Sequence, residues 1–127
     1  MAFAHLTLAT QNVPATRAFF EHTLGWPPIH RPGNIDREAA WLQVAPGQEL
    51  HIVEAKDFEI PPYEREFGRH MAIDLPASEF EPLKTRLMEH GAEIIAPIRE
   101  TPSPRFFFRA PNGYVFEIVP TERETES

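Results

Sequence analysis

A chain of 127 residues with 42% hydrophobic residues is long enough for one compact core and is not typical of disordered proteins. Its net charge of −7 argues against a nucleic-acid partner, because a phosphate backbone requires a basic face. The absence of cysteine excludes disulfides, thiolate nucleophiles and cysteine-based zinc sites. There is no signal-peptide pattern and no membrane-length apolar run, so we expect a soluble, cytoplasmic protein without a membrane partner.

The first predicted element is a strand over residues 3–9, in which apolar and polar side chains alternate. His5 lies on the face opposite the leucines of this strand. A helix follows, for which Asn12 is the candidate N-cap and Gly25 the stop signal. The apolar stripe expected on this helix comprises Ala15, Ala18, Phe19 and His22.

Short strands separated by turns complete the first half of the chain. The predicted segments are a short run around 29–31, a loop at 32–34, and strands at 39–45 and 49–55. The Pro46-Gly47 turn joins the last two strands into a hairpin. His51 lies in the middle of the final strand.

The second half repeats this order of elements. A strand at 70–75 is followed by a helix with Ser78 as its candidate cap and Gly91 as its end. The residues at helical spacing are Phe80, Leu83, Leu87 and His90. The remaining strands are predicted at 94–95, 105–109 and 114–119, the last two joined by an Asn-Gly turn.

The two halves also match in the spacing of their ionisable residues. His70 comes 65 residues after His5, and Glu117 comes 66 residues after His51. The sequence therefore predicts an α+β fold of two βαβββ modules whose strands form a curved mixed sheet. The predicted modules span 1–55 and 70–120, with a linker at 56–69 and a flexible tail at 121–127, in one compact domain overall.

Four side chains are candidate metal ligands, because each lies on the less apolar face of its strand: His5, His51, His70 and Glu117. Such a set suits one divalent zinc, iron, nickel, manganese or cobalt ion, with a position open to substrate. A single strand histidine is more often bonded to a neighbour, and the alternative for His51 is a pocket residue that acts as general base. His22 and His90 lie at helix C-termini and are expected to be structural.

The same strand period predicts the surroundings of the candidate metal. The side chains expected to face it and to bind substrate are Trp41, Gln43, Arg105, Phe107 and Arg109. The arginines suit a substrate carboxylate or phosphonate, although pairing with surface glutamates is the simpler interpretation. A register slip of one residue in the 105–109 strand would reverse its faces.

Several segments together resemble the vicinal oxygen chelate superfamily, the glyoxalase, bleomycin resistance and extradiol dioxygenase family. They are His-Leu-Thr-Leu at 5–8, Val-Pro-Ala-Thr-Arg-Ala-Phe-Phe at 13–20, Leu-Gly-Trp at 24–26, Gly-Arg-His at 68–70 and Ala-Pro-Asn-Gly-Tyr-Val-Phe-Glu at 110–117. The resemblance implies two modules forming a cup around a divalent metal. His5, His70 and Glu117 stand at the ligand positions of the fosfomycin-resistance branch.

The sequence also departs from particular branches of that family. Position 51 is glutamate in most glyoxalase I proteins and glutamine in methylmalonyl-CoA epimerase, but histidine here. Ala110 occupies a position where aspartate is common. Neither the potassium-loop residues of the fosfomycin branch nor the outer histidine and tyrosine of extradiol enzymes is recognisable.

The resemblance implies a homodimeric, metal-dependent lyase, isomerase or dioxygenase acting on a small oxygenated molecule. Glu117 and His51 are the expected catalytic residues. The alternatives are a metal-free, drug-sequestering protein of the bleomycin-resistance type, a fosfomycin-resistance-like thiol transferase, and a paralogue that binds metal without turnover.

Overall fold

The computed structural model describes residues 1–30, 33 and 35–123. Residues 31, 32 and 34 of the predicted run and loop, and residues 124–127 of the predicted flexible tail, lie outside the described residues. The chain divides into two compact units, Met1–Glu59 and Ile60–Ser127, each of which carries one four-stranded mixed sheet. No helix in the described part of the chain is long and apolar enough to cross a membrane.

The first unit contains one helix and four strands. Its elements are β1 (His5–Thr10), α1 (Val13–Thr23), β2 (Pro28–Ile29), β3 (Ala39–Ala45) and β4 (Gln48–Glu54). The strand order in the sheet is β1-β4-β3-β2, with β1 parallel to β4 and the other neighbours antiparallel. The strand prediction for 39–45 is confirmed, and the hairpin turn contains Gly47 at a φ of 75°.

Helix α1 begins as predicted but buries a different face. The Asn12 side chain accepts a hydrogen bond from the Ala15 backbone N–H at 3.0 Å, which confirms the predicted cap. The predicted stripe is wrong at Ala15 and His22, which are exposed. The buried face instead includes Thr16 and Thr23, whose hydroxyls donate to helix-terminal or intrahelical carbonyls and so lose little on burial.

The second unit repeats the plan of the first. Its elements are β5 (Met71–Leu75), a 3-10 turn (Ala77–Glu79), α2 (Phe80–Glu89), β6 (Glu93–Ile95), β7 (Phe106–Arg109) and β8 (Val115–Pro120). The strand order is β5-β8-β7-β6, with β5 parallel to β8. The outer parallel strand of each sheet thus pairs with the last strand of its own unit, so the predicted duplication of one module is confirmed.

The prediction that Ser78 caps α2 is wrong. Ser78 lies inside the 3-10 turn, and the helix begins at Phe80 without a side-chain hydrogen bond to its cap among the described residues. Pro76 precedes the turn at a φ of −57°, and its carbonyl accepts from the Glu79 backbone N–H at 2.9 Å. A backbone carbonyl therefore accepts a hydrogen bond from an N–H group at the start of the helix, which is the role that a serine side chain would have as the cap.

In each unit the helix packs on one face of the sheet, and the candidate ligands lie on the other face. In the first unit the covered face includes Leu42, Leu50 and Ile52, all at most 1% exposed. In the second, Phe106 packs edge-on against Phe80 of α2 at a ring distance of 5.4 Å. Because strand side chains alternate, the residues between these positions lie on the opposite face.

Candidate metal centre

The second unit brings His70 and Glu117 together. His70 immediately precedes β5, and Glu117 lies on β8, paired in register with Ala72 of β5. Glu117 lies between the buried residues Phe116 and Ile118, so its carboxylate points to the opposite face. His70 Nε2 lies 3.3 Å from Glu117 Oε1.

Both ring nitrogens of His70 face oxygen atoms. Nδ1 lies 3.2 Å from the backbone carbonyl of Arg65, and Nε2 faces Glu117. A neutral ring that donates from Nδ1 to this carbonyl leaves the Nε2 lone pair for a metal ion, the usual arrangement of a metal-binding histidine. A doubly protonated ring satisfies the same two contacts.

The spacing of this pair fits a shared divalent ion. Two ligand atoms that each lie about 2.1 Å from one zinc ion, at a tetrahedral angle, are about 3.4 Å apart. The observed separation of 3.3 Å between His70 Nε2 and Glu117 Oε1 is close to this value, and it is equally the length of a direct hydrogen bond between the two groups. Nitrogen and carboxylate oxygen are also donors that suit zinc, iron, manganese, nickel or cobalt.

The other carboxylate oxygen of Glu117 is held by Arg105. Arg105 Nη1 donates to Glu117 Oε2 at 3.0 Å, and Nη2 donates to Glu66 Oε2 at 3.0 Å. The three side chains are 5% (Arg105), 9% (Glu66) and 13% (Glu117) exposed. Burial opposes the charge of Arg105, but its hydrogen bonds to the two carboxylates raise the pKa of the guanidinium.

Glu66 is the more strongly held of the two carboxylates. It accepts hydrogen bonds from the backbone N–H groups of Ile98 at 2.6 Å and Arg99 at 3.0 Å, besides that of Arg105. Burial opposes ionisation, but these donors outweigh it and lower the pKa of Glu66 to about 2. Glu66 is therefore a fixed negative charge at neutral pH.

The first unit carries a stack of three rings, formed by Trp41, His51 and His5. The His51 ring lies 3.9 Å from Trp41 and 4.0 Å from His5, with interplanar angles of 9° and 18°. His51 Nε2 lies 2.8 Å from Glu49 Oε1. The Trp41 indole Nε1 is buried and has no hydrogen-bond partner within the described residues.

The remaining predicted substrate contacts divide into two groups. Phe107 lies beside His70, because the centroids of the two rings are 5.1 Å apart in an edge-on contact. The guanidinium carbon of Arg105 lies 5.3 Å from the centroid of the Phe107 ring. Gln43 instead donates to the carbonyls of its own hairpin at Ala45 and Gln48. Arg109 donates to the carbonyls of Gly113 and Glu64 at 2.9 and 3.1 Å. The side chains of Gln43 and Arg109 therefore stabilise the backbone through hydrogen bonds to its carbonyls.

A cavity of about 510 Å³ in the second unit opens beside Glu117. Its lining includes Arg99, Thr101, Arg105, Val119 and Arg123. This volume lies in the range of small-molecule sites. Glu117 is itself one of the lining residues, whereas His70 is not.

Within the described residues, no group of three or more His, Asp or Glu side chains is placed to hold a metal ion. The predicted ligands form a pair within each unit, His70 with Glu117 and His51 with His5. Only the first of these pairs has its donor atoms converging. In the pair of His51 and His5 the two rings are stacked face to face, so their nitrogens do not point toward a common position.

Sequence reasoning missed residues 64–66, which it placed in a linker. Besides Glu66, the buried Glu64 accepts hydrogen bonds from the Val115 backbone N–H at 2.9 Å and from Arg69 at 2.7 Å. Gly68 closes the turn that follows, where an added Cβ would lie 2.0 Å from the Tyr63 carbonyl oxygen. The available signal was two glutamates flanking an arginine, separated by Phe67 from Gly-Arg-His.

Comparisons with known proteins give one consistent result. Residues 2–118 match the family model described as the Glyoxalase/Bleomycin resistance protein/Dioxygenase superfamily. Over 118 residues the chain is 25% identical to "Glyoxylase I 4" of Arabidopsis thaliana, covering 90% of this chain and 67% of that protein. It is 23% identical over 117 residues to metallothiol transferase FosB of Shouchella clausii, covering 90% and 76%.

Solved structures agree on the fold. A glyoxalase/dioxygenase from Nostoc punctiforme superposes with a TM-score of 0.77 at 21% identity, covering 96% of this chain and 92% of that one. The fosfomycin resistance protein FosX of Listeria monocytogenes gives 0.76 at 18% identity, covering 99% and 95%. The family resemblance seen in the sequence and the predicted α+β fold are thereby confirmed.

Proposed function

Because the chain belongs to the glyoxalase/bleomycin resistance/dioxygenase superfamily, we propose that it is a divalent-metal-dependent enzyme of the vicinal oxygen chelate type. Its substrate is a small oxygenated molecule that binds the metal through one or two oxygens. The observation that carries this proposal is the 3.3 Å approach of His70 Nε2 to Glu117 Oε1 beside an open cavity. Both curated relatives bear the names of enzymes, which supports catalysis rather than simple sequestration.

The proposed ligands are His70, Glu117 and His5, the three positions at which the family resemblance implies ligands. His5 is favoured over His51 because His51 Nε2 is already engaged by Glu49 at 2.8 Å. A homodimer is part of the proposal. A FosX variant from Listeria monocytogenes was solved with Mn(II) and a dihydroxypropylphosphonic acid, which supports a divalent ion in this fold.

When bound, the metal supplies Lewis-acid stabilisation of an enolate-like or alkoxide-like oxygen of the substrate. The protein side chains bind and orient the substrate around it. Phe107 is 1% exposed and packs edge-on against His70, so it orients this ligand, and the buried indole N–H of Trp41 is a donor that a substrate oxygen would satisfy. His51, oriented by Glu49 and held between two rings, is the proposed general base, with Nδ1 receiving the proton.

Thiol addition to an epoxide is the second candidate reaction. It is favoured by the FosB relative, whose name describes a metallothiol transferase. The cavity beside Glu117 also carries arginines, which match a phosphonate in charge. Against this, four of the five N–H groups of Arg105 are already bonded within the protein, so Arg105 contributes little to anion binding.

The test is a panel of reactions on metal-loaded protein. Chelator-stripped protein is reloaded with each candidate ion and assayed for isomerisation of a thiol–oxoaldehyde adduct, for O₂-dependent catechol cleavage, and for thiol addition to an epoxide phosphonate. The proposal predicts turnover in one assay, lost in Glu117→Gln and retained in Glu59→Gln, which changes an exposed glutamate. Absence of turnover in all assays, combined with metal-independent binding of a bleomycin-type drug, would support the sequestration alternative instead.

A further inference from the structure

We propose that Glu66 is a positioning residue for the metal ligand Glu117 and acts through Arg105. The inference rests on the proposed function, since it assumes that Glu117 binds a metal ion. It assigns a role to a residue outside the predicted ligands and outside the strands that carry them. The three side chains form a continuous line, Glu66 to Arg105 to Glu117, with 3.0 Å at both contacts.

Arg105 is held in one orientation by its surroundings. Its Nε donates to Thr101 Oγ1 at 3.3 Å, Nη1 donates to Glu117, and Nη2 donates to Glu66 and to the Arg99 carbonyl. The side chain is only 5% exposed, so water offers few alternative partners. The guanidinium is therefore a fixed group, and it meets Glu117 at the single oxygen Oε2.

Glu66 anchors that orientation at its far end. Its two oxygens accept from the backbone N–H groups of Ile98 and Arg99, which fixes the carboxylate on the main chain. Glu66 then competes with Glu117 for the positive charge of Arg105. This division leaves Oε1 of Glu117 on the side of His70, where the metal is proposed to bind.

Removing the charge of Glu66 changes this division. With Glu66→Gln, Glu117 becomes the one carboxylate paired with Arg105 among the residues that the structure describes. A guanidinium freed from Glu66 can turn to bind both oxygens of Glu117, because bidentate pairing is its preferred geometry with a carboxylate. Oε1 is then taken from the metal site, and metal affinity falls.

The same short segment also orients the other ligand. The Arg65 carbonyl lies 3.2 Å from His70 Nδ1. Of two neighbouring residues, Arg65 therefore contacts His70 directly and Glu66 acts on Glu117 through Arg105. Outer partners of metal ligands typically change affinity by about 10–100-fold when mutated. We expect Glu66→Gln to weaken the affinity by at least tenfold on this scale.

The experiment measures the Zn(II) and Mn(II) dissociation constants of untagged protein by competition with a chelating dye. The variants are Glu66→Gln, Arg105→Gln and the double variant, and thermal unfolding confirms that each is folded. Glu93→Gln is the control, because Glu93 is a glutamate of the same unit that pairs with a different arginine, Arg109, at 3.7 Å. The control is expected to change the dissociation constant by less than about threefold, below the outer-partner range.

The double variant separates positioning from a general structural role. If Glu66 acts through Arg105, Glu66→Gln weakens metal binding in the wild-type background and has no further effect in the Arg105→Gln background. Equal weakening in both backgrounds, or unchanged affinity in Glu66→Gln, would overturn the inference while leaving the metal site intact. A wild-type protein that binds neither ion would instead overturn the proposed function and this inference with it.

Discussion

Arg105→Leu tests the buried charge cluster from the side of stability. The substitution keeps an apolar stem but removes the cation that contacts both Glu66 and Glu117. Breaking a buried ion pair by removing one partner costs about 3–5 kcal/mol, because a charge is left buried without compensation. Glu117 is 13% exposed and Glu66 keeps two backbone donors, so the lower end applies, about 3 kcal/mol of unfolding free energy.

The cost should depend on pH in a defined direction. The pKa of Glu66 is lowered from 4.5 to about 2 in the folded chain, in part by Arg105. A carboxyl with a lowered folded pKa contributes stability above its unfolded pKa and loses that contribution as the pH falls toward the folded value. The difference between wild type and Arg105→Leu should therefore be complete at neutral pH and shrink as the pH falls below the Glu66 pKa of the folded variant, toward the wild-type value of about 2.

Urea unfolding followed by far-ultraviolet circular dichroism at pH 7 and at about pH 2, the folded pKa of Glu66, measures both quantities. Arg123→Leu is the control, because Arg123 pairs with Asp74 at 3.6 Å with both side chains about half exposed. Such a surface pair contributes at most about 1 kcal/mol. The reasoning is refuted if Arg105→Leu costs no more than Arg123→Leu at neutral pH, or if its cost is the same at both pH values.

Three further predictions concern the helix cap, a tight turn and the ring stack. Asn12→Ala should cost about 1 kcal/mol of unfolding free energy, since it removes the acceptor for the Ala15 N–H; an unchanged urea midpoint would argue against the cap. Gly68→Ala should weaken metal binding and lower the melting temperature, because its Cβ would meet the Tyr63 carbonyl at 2.0 Å; wild-type values in a metal titration and a thermal melt would contradict this. His51→Gln should lower kcat by about 10²–10⁴-fold, the range for a general base, while the bound metal remains; loss of the metal would make it a ligand instead.

The strand faces could be predicted because they depend on neighbouring residues alone. Phe106 and Phe107 differ by one position, and the period of a strand sends one toward α2 and the other toward His70. The Asn12 cap and the hairpin turns are likewise local. The repeated βαβββ order followed from these elements without any knowledge of distant contacts.

The buried face of α1 and the role of residues 64–66 could not be predicted in this way. Thr16 and Thr23 read as polar, yet their hydroxyls bond within or near the helix and permit burial. Glu66 meets partners at 98, 99 and 105, and Glu64 meets Val115, all more than 30 positions away. A run of charged residues reads the same in the sequence whether its side chains are solvated or form hydrogen bonds to remote strands and loops.

The central proposal is that His70, Glu117 and His5 bind a divalent metal ion. Metal analysis by inductively coupled plasma mass spectrometry of untagged protein, purified without chelator, tests it most directly. We predict about one divalent ion per chain in the wild type and in His30→Ala, an exposed histidine, but almost none in His70→Ala, Glu117→Ala or His5→Ala. A wild-type protein without metal after incubation with each candidate ion, or full occupancy in His70→Ala and Glu117→Ala, would contradict the claim.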